Sequence, residues 1–381
     1  MARSASDSET FSRRLLRDAP PSSRDAFNVG LLLPMSGVQA LLSPSAYACA
    51  RLACETWNEE GGVDGREVRL TLLDSAAVGG RLDDDLGRLL QPDIRGRRQV
   101  DALVNLSTTA HCQRIAEIVS ARVPLIYTPY FEGRGLPPWV HAIGETTDRQ
   151  LLPAIDWVAD RHRVRRWFLL GHDYCWPRQS HHRAIAHLKA RGDEVADVAY
   201  VPMGHRRFEP ILERIERSRA DALLISLVGA DSIYLCRAFG DSRLAGKVVR
   251  LSVAIEENAL LGMGHDNTDG LYVAHGYFGS VDSDANGLFR ERYHQRFGAR
   301  APTLNGPAQS AYEGFVHLHR LVAQAGVTRR AAPSRLRSVR AGYRARAARD
   351  GDLASNAGRD PIYLARAEGL GLRVIQPIAG A

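Results

Sequence analysis

Lysine is almost missing from this chain. Of 50 basic residues among 381, only Lys189 and Lys247 are lysines, and the rest are arginines. The net charge is +7 and the sequence pI is near 9.3. A surface built to hold nucleic-acid phosphates normally recruits lysine as well as arginine, so direct nucleic-acid binding is not expected. Cysteine is scarce too. Cys49, Cys54, Cys112, Cys175 and Cys236 are odd in number and contain no C-x-x-C pair, which argues against a disulfide framework or a structural zinc site. No run of eighteen apolar residues is present, so no transmembrane helix is expected. Catalytic signatures are also lacking. There is no G-x-S-x-G elbow, no G-x-x-x-x-G-K-[ST] loop and no H-E-x-x-H helix. His181-His182 are adjacent, point to different faces of one helix and read as surface histidines. No catalytic residue, metal or cofactor is assigned.

What is present is an alternation of strand and helix patterns in a chain long enough for two domains. The stretch Asn58-Glu59-Glu60-Gly61-Gly62-Val63-Asp64-Gly65-Arg66 closes a helix and turns through three glycines into a strand, Glu67–Leu73. Upstream lie strand Phe27–Leu33 and a helix over 43–60, with Ser43 as expected N-cap and Pro44 at its first position. Ala46, Cys49, Ala50, Ala53 and Trp57 form its apolar stripe. Further strands are expected at Ala102–Leu106, Leu125–Tyr127, Arg166–Gly171, Val195–Val201, Ala222–Leu227, Val248–Val253 and Leu271–Ala274. Helices are expected between them and over 285–297 and 308–325. Pro137 to Glu145 reads as a crossing segment. The expected fold is α/β, with two doubly wound parallel-sheet lobes joined by a hinge and a ligand in the interlobe cleft. Residues 27–145 plus 279–345 form one lobe, and 146–278 plus 346–381 the other. Residues 1–26 read as a disordered leader without the apolar core of a secretory signal, which gives a cytoplasmic address. A start site further upstream would change that to periplasmic or lipid-anchored. Eight arginines within 329–349 read as a solvated helix face, or as a docking surface for an acidic partner or RNA.

Three loops at strand ends are rich in ligand-binding chemistry. Ser107-Thr108-Thr109 offers hydroxyls and backbone N–H groups at a helix start, which suit a carbonyl or carboxylate oxygen and suit simple N-capping equally. Tyr127-Thr128-Pro129-Tyr130-Phe131 packs three aromatics into a rigid loop, as core or as binding wall. Tyr174 and Trp176 alternate in what reads as an extended segment after strand 166–171, with Pro177 starting the next helix. Weaker signals are Val228-Gly229, also between strand and helix, and Glu256-Glu257. There a carboxylate could receive an amide or ammonium, or simply form an exposed charge pair.

With those loops in place the chain resembles the type I periplasmic-binding-protein family, in its leucine/isoleucine/valine-binding branch. It is most similar to urea and short-chain-amide receptors and to the cytoplasmic amide sensor that regulates aliphatic amidase operons. The matching motifs are Asn58–Arg66, Tyr130-Phe131-Glu132-Gly133, Asp173-Tyr174-Cys175-Trp176-Pro177-Arg178-Gln179-Ser180, Val228-Gly229 and Gly276-Tyr277-Phe278, across roughly Phe27 to Pro377. Trp176 stands where that group usually has tyrosine. The resemblance implies ligand contacts at Thr108, Thr109, Tyr127, Tyr130, Tyr174, Trp176, Val228 and one of Glu256 or Glu257, with Glu257 preferred. It implies a non-enzymatic protein that closes on a short aliphatic amide or urea as an intracellular sensor with a regulatory protein partner, forming a homodimer. The alternative is the receptor of an ABC permease for urea, amides or branched-chain amino acids. A hydrolase or deaminase using Glu256 or Glu257 with a histidine lacks any supporting motif.

Overall fold

The alternation of strands and helices closes into two sheets. The computed structural model describes residues 25–77, 80–133, 135–324 and 361–379. The leader, except Asp25 and Ala26, and the arginine-rich 329–349 segment lie outside the described residues. The first sheet has strands β1 (Phe27–Leu33), β2 (Val68–Asp74), β3 (Ala102–Asn105), β4 (Leu125–Tyr127) and β5 (Val140–Ala142), in the order β2-β1-β3-β4-β5. All its pairs are parallel. β1 is buried along its whole length and alternates between two cores. Val29, Leu31 and Leu33 pack on one face, and Leu32 on the other. That is the period-two signature of a central strand covered by helices on both sides. Helices α1 (Ser43–Glu59), α2 (Arg81–Leu90) and α3 (Thr109–Val119) cover it.

The second sheet has β6 (Arg166–His172), β7 (Glu194–Val201), β8 (Ala222–Ser226), β9 (Val249–Ser252), β10 (Leu271–His275), β11 (Ile362–Glu368) and β12 (Gly371–Ala379), in the order β12-β11-β10-β9-β8-β6-β7. Trp167 and Leu169 of β6 face one core while Phe168 and Leu170 face the other. Helices α4 (Thr147–His162), α5 (Cys175–Arg191), α6 (Glu209–Ser218), α7 (Ala230–Gly240) and α8 (Glu257–Met263) flank this sheet. The chain then returns to the first lobe through α9 (Asp284–Phe297) and α10 (Gly306–Gln324), which share a core with α1. No helix among the described residues is long and apolar enough to cross a membrane.

Two doubly wound α/β lobes are what the alternation predicts, with differences in detail. The second sheet is mixed, because β11 runs antiparallel to β10 and β12 antiparallel to β11. This hairpin was not read in the sequence, since Arg366, Glu368 and Arg373 interrupt its apolar pattern and stay on exposed positions at the sheet's edge. β5 falls inside the expected crossing segment and is only three residues long. Ser43 does not cap α1. A 3₁₀ turn precedes the helix, and the Ser43 hydroxyl donates to the Pro34 carbonyl at 2.8 Å.

The glycine turn after α1 behaves as its sequence requires. Gly61 and Gly62 take φ of +95° and +69°, and a Cβ on Gly62 would sit 2.0 Å from the Arg66 carbonyl oxygen. The Asn58 side chain locks the join. Its amide donates to the Val68 carbonyl at 2.9 Å, and its carbonyl accepts from the Val68 N–H at 2.7 Å.

Candidate functional site

The carboxyl ends of the parallel strands in both sheets face each other across a gap of about 590 Å³, including the part open to solvent. Open α/β sheets bind ligands at this edge, where loops and helix starts meet. The first lobe contributes the β3–α3 loop (Thr108, Thr109), the β4–β5 loop (Tyr127, Tyr130) and Glu145 beyond β5. The second contributes Tyr174 and Trp176 after β6, and His275 at the end of β10. Gln39 closes one side from the β1–α1 connection, and Ser310 another from α10.

Six of the eight expected contact residues meet here: Thr108, Thr109, Tyr127, Tyr130, Tyr174 and Trp176. Their roles differ. The Thr108 hydroxyl accepts from the His111 N–H at 3.3 Å and so caps α3. The Tyr127 phenol is occupied, donating to the Ser107 carbonyl at 3.1 Å. Thr109 donates to Glu132 at 2.9 Å, while the other oxygen of that carboxylate is buried without a partner. Glu132 also adds to the burial that pushes the nearby Cys175 thiol up to about 11. The rings of Tyr130 and Tyr174 present phenols with no hydrogen bond to the described residues. Burial pushes both well above the ordinary tyrosine range, so they remain O–H donors.

Trp176 reaches the cleft by a different route from the expected one. α5 begins at Cys175, with Tyr174 extended at its N-cap position (φ −150°, ψ −179°), so Trp176 sits in the first helical turn. Its ring, 2 % exposed, lies 4.9 Å from Tyr130 and 6.3 Å from Tyr174 between centroids.

Val228 and Glu257 are not on the lining. Val228 is buried in the second-lobe core, and its N–H donates to His172 Nδ1 at 3.3 Å. Glu257 turns toward the lobe crossing, where its carboxylate accepts from the Gly279 N–H at 2.8 Å. Its neighbour Glu256 is the carboxylate nearer the cleft. Only 3 % exposed, it stands 3.6 Å from His275 Nε2, and its Oε2 has no partner at hydrogen-bonding geometry. Burial, with Glu257 and Glu145 nearby, holds Glu256 well above the usual carboxylate range. His275 is pushed down to about 4 by burial and is neutral. Gln150 Nε2 lies 3.0 Å from its Nδ1, which leaves the proton on Nε2 facing the Ile255 carbonyl at 3.2 Å.

Glu145 and His275 were not read in the sequence. Glu145 ends an aperiodic segment, and His275 extends β10 by one residue past the expected end. The signal that finds them is positional, since His275 ends β10 and Glu145 follows β5 at the carboxyl edges of the two sheets. His181 corrects another reading. It is buried, not on the surface, because its ring packs under β6 with Nε2 3.0 Å from Ser226 Oγ, and burial pushes it down to about 3. His182 is exposed.

Glu257 gives a first prediction. Burial raises its carboxyl from the ordinary 4.5 to about 7. A raised folded value means that stability is fully present below 4.5 and is lost as pH climbs toward 7, by up to about 3 kcal/mol. Glu257→Gln keeps the acceptor for Gly279 and removes the charge. Thermal unfolding between pH 4.5 and 8 should therefore show a flatter profile for the variant and higher stability above pH 7. An unchanged slope would clear Glu257 of this role.

Comparison with known proteins places the geometry in context. A family model described as periplasmic binding protein matches residues 26–369. Among solved structures, the chain is similar to a solute-binding protein of an ABC transporter from Rhodopseudomonas palustris HaA2, in complex with p-hydroxybenzoic acid. Identity is 20%, with 93% of this chain and 98% of that one covered and a TM-score of 0.75. It is also similar to the branched-chain amino acid transporter substrate-binding protein LivJ of Streptococcus pneumoniae, in complex with isoleucine, at 14% identity, 92% and 100% coverage and a TM-score of 0.73. The leucine-binding protein LivK of Thermotoga maritima matches at 16% identity, 92% and 98% coverage and a TM-score of 0.72.

Proposed function

The chain belongs to the periplasmic binding protein family, whose members bind small molecules without transforming them, and on that premise we propose that it is the receptor of an ABC permease for a small, N–H-rich solute. The amide and urea class, extending to amino acids, is the ligand range the side chains suit. The observation that carries this is the make-up of the cleft. Free phenols at Tyr130 and Tyr174 and an unpaired carboxylate at Glu145 face a gap that no arginine or lysine lines among the described residues. Burying a ligand carboxylate there would rely on backbone N–H groups at the Thr108 helix start alone.

The solved relatives named for transporters support the permease partner over the regulatory one read from the sequence, and that role places the protein outside the cytoplasmic membrane. We read the lobes as 27–145 plus 279–345 and 146–278 plus 346–381, hinged at the crossings near 145 and 278. Titration calorimetry with acetamide, urea, leucine and p-hydroxybenzoate tests the reading. Binding of acetamide or urea, with p-hydroxybenzoate at least tenfold weaker, is expected. Tightest binding of p-hydroxybenzoate would overturn it, and tightest binding of leucine would move the ligand to the amino-acid class.

A further inference from the structure

The rings in the cleft form a continuous curved wall. Tyr174, Trp176, Tyr130 and His275 follow one another at centroid separations of 6.3, 4.9 and 6.0 Å, with interplanar tilts of 32°, 45° and 36°. All four residues line the gap, and a set of mutually tilted rings around one volume is how proteins surround organic cations. The acidic side of the same volume is uncompensated. Glu145 lines the gap, and its carboxylate makes no ion pair or hydrogen bond with the described residues. It is pressed against the chain at Gly276, where a Cβ would fall 2.0 Å from its Oε1. Behind His275, the buried Glu256 is held well above the usual carboxylate range and adds no charge, so the negative charge at the gap is that of Glu145. Glu145 is half-buried at the gap, and a carboxylate there with no partner of its own is answered by a ligand that brings positive charge.

We infer that the cleft takes a small organic cation, of the amidinium, guanidinium or alkylammonium class, with its charge between the aromatic wall and Glu145. This rests on the reading of the cleft as a solute site and narrows the solute. Amidinium and guanidinium are planar and match acetamide and urea in shape, with an N–H donor in place of the carbonyl, so the free phenol oxygens and the Thr109 hydroxyl oxygen meet them as acceptors. The charge is the difference. It uses the π faces and the carboxylate, which a neutral amide leaves unanswered.

Isosteric pairs test charge without changing shape. Calorimetric titrations would compare acetamidinium with acetamide, and guanidinium, kept below denaturing concentration, with urea. Each cation is expected to bind at least tenfold tighter than its neutral partner. Glu145→Gln should abolish that preference, and Glu145→Asp, which retains the charge, should keep most of it, with thermal melts confirming that both variants fold. Equal or tighter binding of the neutral partners overturns the cation assignment and leaves the solute site standing. So does a preference that survives Glu145→Gln. Binding by none of the four overturns the inference, and the solute site falls with it when leucine and p-hydroxybenzoate also fail to bind.

Discussion

Trp176→Ala is expected to weaken solute binding by about 2–4 kcal/mol, in the range of a buried aromatic hot spot. It should also lower stability by about 3–5 kcal/mol, as large-to-small aromatic truncations do. Both losses follow from one position. The ring is 2 % exposed and belongs to the second-lobe core that contains Val228, yet it also forms the middle of the aromatic wall between Tyr130 and Tyr174. Trp176→Phe separates the two roles. It keeps a π face and most of the apolar contact, so stability should fall by about 1–2 kcal/mol and affinity by much less than in the alanine variant. Thermal unfolding and calorimetry on the same preparations supply both numbers. Wild-type affinity in Trp176→Ala, at a stability still sufficient for folding, would make Trp176 a core residue and nothing more.

Periodicity made most of the fold legible. β1 and β4 lie where the pattern places them because each is a run of buried residues, and α7 because Leu235, Cys236 and Phe239 recur on its buried face. What stayed hidden was short or polar. β5 has three residues, and β11–β12 mixes charged residues into an edge hairpin whose sequence neighbours are far from β10 in the chain. The candidate site divides the same way. Loops with unusual composition, such as Tyr127–Phe131 and Asp173–Pro177, announce themselves, and the structure brings their rings together. Single residues that matter only through position do not. Glu145 has no signal in its own neighbourhood. Its setting is created by Gly276, which is 131 positions later in the numbering of the sequence and close enough that no side chain would fit. Glu256 and Glu257 are adjacent in sequence, and only the helix start of α8 decides which carboxylate approaches His275 and which turns to Gly279.

Gly229→Ala should uncouple ligand affinity from folding, because it acts where the two lobes touch. Gly229 has φ +63° and ψ −138°, a conformation essentially closed to other residues. A Cβ there would lie 2.0 Å from the carbonyl oxygen of Val38, in the β1–α1 connection of the opposite lobe. The same carbonyl accepts from the Ala230 N–H at 2.9 Å, and Asn258 reaches across to the Leu41 carbonyl at 2.8 Å. These bonds join the two lobes beside the cleft in the arrangement described. A ligand stabilises that arrangement only through its greater affinity for it. Alanine at 229 would carry backbone strain of about 1–3 kcal/mol in every state, and in the shut state it would also drive Val38 away. Gly61→Ala is the control, since Gly61 has φ +95° but nothing within 4 Å of an added Cβ. Both variants should lose comparable stability in thermal unfolding without ligand. Only Gly229→Ala should lose affinity by an order of magnitude or more, by calorimetry, and show a larger radius by small-angle scattering with ligand present. If both variants kept wild-type affinity, the Val38 contact would carry no share of closure, and the energy of binding would lie wholly within the cleft.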